Sequence, residues 1–490
     1  MQENNLVYAS PESLGIPSQA ILDFLDEMQE LRLAIHSVLL LRHGKVAAEG
    51  YCPPFDENRK HRMYSVSKSF TSVAIGRLID EGRLTLDDKV ADIFPEYLPA
   101  DPSPYILEAT VRHLLMMSSF NETNSYDWDT PDFVRSFFDN DYPKHKPGTI
   151  FHYDTAATVT LCGIVEKLSG QSFLEYMRPL FDELGISKDI RCVETPEGRC
   201  WTGSGILCTP RDLARFGLLC LNRGVWNGKQ LVSREYMEAA TSRQIDTTVA
   251  QGDLGGPLGY GFQFWMLREG GFACLGMGSQ FAYMMPKYDS VMVITADNQA
   301  INGADDAIRH AHYRLMHKLK DEALPENPVL QKTLRERLHS LSLPLPVGKN
   351  ASPLAKSFSG ITYQFEENLF GFQWMRADIS GERCVLTYEN RTGQHTLPLH
   401  MDGYRPFIFP EKYFGKRIGT ADTAYPAISA GAWAQENSLL GLVYAVGDYM
   451  GTLKMQLTFT EEELTVFMTK SAEWFFDDYR GYLAGHAVKK

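Results

Sequence analysis

A mixed α/β architecture of the α+β type, followed by a smaller β-rich domain, is the fold class this sequence predicts. Three observations carry it. Strand-like stretches open and close the first two thirds of the chain, and apolar segments of helical period lie between them. The last third then turns to alternating hairpins, beyond a stretch punctuated by Pro325, Pro328, Pro344, Pro346 and Pro353.

Residues 36–51 read as two strands around a His43-Gly44 turn. From Ser65 to Gly82 the period lengthens, with Phe70, Val73, Ala74, Leu78 and Ile79 on one helical face. Thr110 is a helix cap, because its hydroxyl can take up a free backbone N–H of the segment from Val111. The polar, aromatic stretch 120–150 ends in Pro147-Gly148 and reads as a long irregular segment of the kind that lines sites. Helices are expected again at Ala156–Ser169, closed by Gly170, and at Pro210–Leu221. Strands are expected at Gly259–Leu267 and Ser290–Thr295, and a His-containing helix at roughly 304–320 closes this half.

The domains that follow are 1–325 for the mixed domain, 326–352 for a proline-containing linker and 353–490 for the β-rich domain. In the last, Val385–Tyr388 and His395–Leu399 form one hairpin, and Leu453–Phe459 with Leu464–Met468 another.

Composition sets outer bounds on function. The 490 residues are 44% hydrophobic and 22% charged, which suits large globular cores. Forty-eight Lys and Arg against sixty-one Asp and Glu leave a formal charge of −13. Such a surface repels phosphate backbones and anionic lipid, so neither nucleic acid nor membrane is an expected partner. No segment reaches the roughly 18 uncharged apolar residues of a spanning helix. Met1–Asn5 has neither the basic nor the apolar run of a signal peptide, and a cytoplasmic location is expected. Eight cysteines with no C-x-x-C pair are expected as buried, reduced thiols.

The chemistry lies in short motifs. Ser65-Val66-Ser67-Lys68 is an S-x-x-K sequence opening an apolar helix. Positions three apart are neighbours on a helix, so the Lys68 amine can reach the Ser65 hydroxyl. Partial burial lowers an amine's pKa and lets it act as a base toward serine. Backbone N–H groups at the helix start favour a developing oxyanion. Downstream, Tyr153 directly precedes an apolar helix, and a phenol near an ammonium can ionise and relay a proton. Gly276-Met277-Gly278-Ser279-Gln280 then supplies a Gly-rich edge whose backbone N–H groups can approach a substrate carbonyl.

In that order these motifs resemble the serine β-lactamase and penicillin-binding-protein superfamily. Tyr64–Ser72, Glu81–Asp88, Val111–Ser118 and Asp212–Gly217 are most similar to its class C β-lactamase-related branch, with family VIII esterases and 6-aminohexanoate-dimer hydrolases. The resemblance spans roughly residues 10–320. It implies a β-lactamase/transpeptidase-like fold, an antiparallel sheet flanked by helices plus an all-helical region, with the last third as a barrel-like appendage. It implies Ser65 as nucleophile, Lys68 as its general base and Tyr153 as third member. The backbone N–H groups of Ser65 and Gln280 would form the oxyanion hole, with Thr155, Met277, Gly278 and Ser279 along the substrate. The implied reaction cleaves a small ester or amide through an acyl-enzyme, without metal or organic cofactor. No oligomeric state follows.

Two departures from the family pattern bear on substrate. Thr155 stands where the Y-x-N motif has asparagine, and Met277 stands where lysine or histidine is usual, with Ser279 in place of a common glycine. A β-lactam carboxylate would lose its cationic partner, so weak or no β-lactamase activity is expected and an esterase or amidase is favoured. The same departures fit an alternative, a penicillin-binding-like protein that binds or senses a ligand without turnover. Asp154 is expected to cap the helix after it. His310, His312 and His317 contain no i,i+4 pair and are expected on a solvated helix face rather than around a metal. Trp265, Trp374 and Trp474 are expected in packing.

Overall fold

The computed structural model of the chain describes residues 6–121, 130–139, 144–248, 258–413, 422–473 and 475–488. Two compact units divide it. One holds the chain up to Asn298 together with Gly303–Leu343, the other Gln299–Asn302 and the chain from Pro344.

In the first unit seven strands form one sheet in the order Val7–Tyr8, Lys45–Tyr51, Ile35–Arg42, Ser290–Ala296, Gln280–Met285, Phe272–Gly276, Trp265–Met266. Every pairing is antiparallel except that of Val7–Tyr8 with Lys45–Val46. The early and late hairpins of this unit therefore meet at the centre of the sheet. There Ile35–Arg42 and Ser290–Ala296 are buried along their whole length. Neighbouring side chains on a strand point to opposite faces. Met284 lies against Gly217 of the helix Pro210–Leu221. Tyr283 instead stacks on His312 of the helix Ala304–Met316, with ring centroids 4.7 Å apart. Helices thus cover both faces.

The helix Ser67–Asp80 is buried at every position from Ser67 to Gly76. This buried part of the helix runs between the sheet and a helical region. Phe70 stacks on Phe216 at 3.8 Å and meets Phe181 edge-on at 6.1 Å. Val111–Leu115, Phe133–Asp139, Thr155–Ser169 and Phe173–Leu184 build the helical region. Their starts follow local chemistry: His113 Nδ1 takes up the Thr110 N–H at 3.1 Å, and Ser172 and Glu175 satisfy each other's N–H groups.

Several expectations are corrected. The stretch 120–150 is not irregular throughout, because Phe133–Asp139 is a helix that buries Phe133, Val134, Phe137 and Phe138. Residues 122–129 and 140–143 of that stretch, like Met1–Asn5 and Trp474, lie outside the described residues. The strand expected over Gly259–Leu267 is confined to Trp265–Met266, since Gln263 takes a left-handed φ of 63° and leaves the ladder. His312 is not solvated but fully buried, whereas exposed His317 pairs with Glu269 at 2.6 Å. The proline-punctuated stretch carries a 12-residue helix, Pro328–His339, which packs on Ser18–Glu30 and Lys45–Tyr51.

The second unit is a ten-stranded antiparallel sheet. Its order is Gly393–His400, Arg383–Asn390, Trp374–Ser380, Thr362–Phe365, Gly481–Ala487, Glu463–Ser471, Met450–Phe459, Ser438–Val446, Ala424–Gln435, Arg405–Lys412. The two edge strands are consecutive in sequence and approach each other, and Ser429 Oγ donates to Pro398 O at 2.5 Å. The sheet is therefore a nearly closed barrel. Pro398, Pro406 and Pro410 sit in those edge strands, where a nitrogen without hydrogen discourages further pairing. Tyr388, Tyr425, Trp433 and Tyr479 fill the interior. Glu411 accepts from Asn390 at 2.7 Å and from Tyr479 at 2.8 Å.

Gln263 earns its left-handed backbone through what it joins. Its Nε2 donates to Leu114 O and Leu115 O at 3.1 and 2.8 Å, and its Oε1 accepts from Thr158 at 2.8 Å. Its carbonyl accepts from Ser69 at 2.7 Å. Gln263→Ala removes the side-chain partner of the Thr158 hydroxyl and of the Leu114 and Leu115 carbonyls and is expected to cost about 3 kcal/mol. Chemical denaturation should show an earlier first transition; an unchanged midpoint would contradict the role.

Candidate active site

Ser65 lies in the short 3-10 turn Tyr64–Val66 that leads into the buried helix. Tyr64 has a φ of 47°, a left-handed conformation costing a bulky residue about 1–2 kcal/mol. Arg62 holds it there. Its guanidinium lies 4.3 Å from the Tyr64 ring and 5.1 Å from that of Trp201. It also donates to the carbonyl and the hydroxyl of Ser204, each at 3.0 Å.

Lys68 is 1% exposed. Its Nζ lies 3.2 Å from Ser65 Oγ and donates to Gly203 O at 2.5 Å. Burial drives its pKa from 10.5 down to about 7, against an opposing pull from the Asp154 carboxylate. A neutral amine keeps two hydrogens and one lone pair. With one hydrogen fixed on Gly203, the lone pair can turn toward Ser65. Gly203 itself has no room for a side chain, since a Cβ there would stand 2.4 Å from Thr155 Cγ2.

Tyr153 brings its ring to 4.9 Å from Lys68 Nζ. It stacks on Trp265 at 5.5 Å and meets Tyr260 edge-on at 6.3 Å. Met117 and Phe151 complete this apolar cluster. The electrostatics of the site weigh against the expected ionisation of the phenol. Burial pushes the Tyr153 pKa upward, and its hydrogen bond with Ser65 offsets only part of that shift. The phenol therefore stays protonated while the amine beside it is near half-neutral at pH 7. Asp154, 1% exposed, accepts from Ala156 N at 2.9 Å and caps Thr155–Ser169 as expected.

The Gly-rich segment forms the tip of a hairpin in which Gly276 pairs with Gln280. A Cβ on Gly276 would lie 2.4 Å from Met63 O and 3.3 Å from Ser65 N, so only glycine lets this strand approach the Ser65 backbone. The Gln280 side chain, fully buried, fixes the tip by donating to Met277 O at 3.0 Å and Ala296 O at 2.7 Å. It also accepts from Ala296 N at 3.2 Å.

The structure thus gathers Ser65, Lys68 and Tyr153, with Thr155 beside the Gly203 clamp and the Gly276–Gln280 pair alongside Ser65. Gly278 and Ser279 make the turn, with φ of 76° and 72°. Met277 at the tip is 41% exposed. Ser279, expected along the substrate, is placed otherwise. It is fully buried, donates to Asp305 at 2.6 Å and accepts from Asn298 at 3.1 Å. Among the described residues, no group of three or more His, Cys, Asp or Glu could hold a metal ion. Sequence reasoning missed Gly203, Arg62, Tyr260 and Gln263. The Trp201-Thr202-Gly203-Ser204-Gly205 run was a usable signal for the first, because paired glycines mark close backbone approach.

Known proteins show the same frame. The Beta-lactamase family model matches residues 25–315. The 6-aminohexanoate-dimer hydrolase of Paenarthrobacter ureafaciens is 28% identical over 282 residues, covering 52% of this chain and 70% of that protein. An octameric penicillin-binding protein homologue from Pyrococcus abyssi has a TM-score of 0.50 at 18% identity, over 95% of this chain and 99% of that one. EstCE1, a hydrolase with promiscuous acyltransferase activity, has a TM-score of 0.50 at 17% identity, over 60% of this chain and 99% of its own. Because the family match runs through both the buried helix after Ser65 and the hairpin of Gln280, the chain belongs to the β-lactamase family, and with it to the serine hydrolases.

Proposed function

We propose that this hydrolase cleaves a small ester or amide through an acyl-enzyme on Ser65. The observation that carries the reading is a desolvated Lys68 amine 3.2 Å from Ser65 Oγ. Lys68 takes the serine proton as Oγ attacks the substrate carbonyl. The backbone N–H groups of Ser65 and Gln280 receive the oxyanion, a role supported by the close Gly276 strand and the pinned tip. Tyr153, kept protonated, passes a proton to the leaving group and is restored through Lys68. Water then enters by the same route in reverse and releases the acid.

The substrate is uncharged near the hairpin tip. Met277 offers no positive charge there, and Tyr153 is packed against the apolar cluster of Tyr260 and Trp265. An ester or amide without a carboxylate at that position suits the site better than a β-lactam.

A fluorophosphonate probe should label Ser65, and p-nitrophenyl acetate or butyrate should be hydrolysed; both should vanish in Ser65→Ala. Binding of such esters without turnover would instead favour a ligand-binding protein. Below about pH 7 Lys68 holds its own proton and cannot accept one from serine, so kcat/KM should fall as pH drops through about 7. Asp154→Asn keeps a helix cap but removes a charge that favours the ammonium. The acid limb of the pH profile should then move lower; a limb that stays put or rises excludes the coupling. Met277→Lys should raise kcat/KM for anionic relative to neutral substrates about tenfold, the worth of one charge-assisted contact. A panel of nitrocefin, short esters and D-amino-acid amides reads this directly.

A further inference from the structure

Three cysteines lie behind the clamp that holds Lys68. Residues 193–201 form a tight hairpin in which Trp201 N donates to Val193 O and Thr195 N to Arg199 O, each at 2.8 Å. Glu194 pairs with Cys200 in its ladder. Residues two apart along a strand share a face, so Cys192 lies diagonally across from Cys200 on the same side. The Cys200 side chain is close enough to help raise the pKa of the Cys192 thiol. Cys162 approaches from the helix Thr155–Ser169, but its thiol donates to the Cys200 carbonyl, at 3.5 Å. All three are free thiols; Cys162 and Cys200 are buried, and Cys192 is partly exposed.

Cys200 is only three residues before Gly203, whose carbonyl holds Lys68 Nζ at 2.5 Å. The intervening Trp201 is held under Arg62, and Gly205 N is tied back to Trp201 O at 2.6 Å. Movement at Cys200 is therefore transmitted to the clamp rather than absorbed by a slack loop.

We propose that Cys192 and Cys200 form a reversible disulfide that draws Cys200 toward Cys192 and displaces the Gly203 carbonyl from Lys68. A low-molecular-weight disulfide such as oxidised glutathione is the oxidant. The Cys192 thiolate attacks one of its sulfurs, expelling one reduced thiol and leaving a mixed disulfide. The Cys200 thiolate then attacks the Cys192 sulfur and expels the second. One disulfide is reduced to two thiols, two protein thiols are oxidised to one disulfide, and the protons released pass to the leaving thiolates. Cys192, the less buried residue of the two, is the point of entry. Burial and the neighbouring Cys200 hold the thiol well above its ordinary range and outweigh the pull of Arg62, so exchange is slow at neutral pH and quickens as pH rises.

The cross-link is independent of the mechanism proposed above; its effect on rate rests on the role given there to Lys68. Full-length protein is incubated with oxidised glutathione at alkaline pH, blocked, cut with trypsin without reduction and analysed by mass spectrometry. Cleavage after Arg191, Arg199 and Arg211 separates Cys192 from Cys200, and fragmentation separates Cys200 from Cys208. The expected result is a Cys192–Cys200 link, with ester hydrolysis falling at least about fivefold and returning with dithiothreitol. Cys192→Ser, at the partly exposed position, should keep basal activity and lose the response. Absence of the link, a Cys162–Cys200 link, or a Cys192–Cys200 link without change in rate each overturns the proposal. If no ester is turned over at all, the mass measurement still decides whether the thiols pair.

Discussion

An ammonium group denied water is the constraint on which the site depends. Lys68 sits in the buried part of its helix, and the charged form of its amine has a carbonyl, a hydroxyl, the Tyr153 ring and the Asp154 carboxylate to replace its hydration. Desolvation outweighs these partners, and the group is held close to neutral at physiological pH. Most of the surrounding architecture serves that condition. The sheet and helices that cover Ser67–Asp80 exclude solvent. Arg62 braces the strained turn before Ser65, and Gly203 fixes one amine hydrogen so that the lone pair can turn toward Ser65.

The side of the site proposed to receive the oxyanion follows the same logic of close approach. A strand can lie against the Ser65 backbone only because Gly276 lacks a Cβ, and it can stay there because the Gln280 side chain ties the tip to the next strand. Ser279 and Asn298 extend that tie to Asp305. The hairpin is thus held from behind, leaving Met277 as the exposed side chain at its tip. Rigid donors cost little reorganisation when charge develops, which is the property an acyl-transfer site needs.

What could be read from the sequence was what depends on local spacing. Ser65 and Lys68 are three apart on a helix; Thr155–Ser169 ends at a glycine with φ of 74°; alternation marks the 383–400 and 450–471 hairpins. The parts that could not be read are set by tertiary contact. Gln263 breaks a strand because three other elements claim its amide and carbonyl. His312 is buried because a tyrosine of the sheet lies against it, which helical periodicity does not reveal. Closure of the barrel depends on how far its strands are staggered, and no single strand encodes that. The upward pull on the Tyr153 pKa was out of reach for a related reason: proximity to charge was visible, while the depth of burial was not.

The account stands on the protonation state of one amine. Lysine labelled with 13C and 15N, with the Lys68 signals assigned by their loss in Lys68→Met, allows that state to be followed by NMR across a pH titration. A midpoint near 7 is predicted. A midpoint near the ordinary 10.5 would show that Lys68 remains charged and would contradict its place as the base.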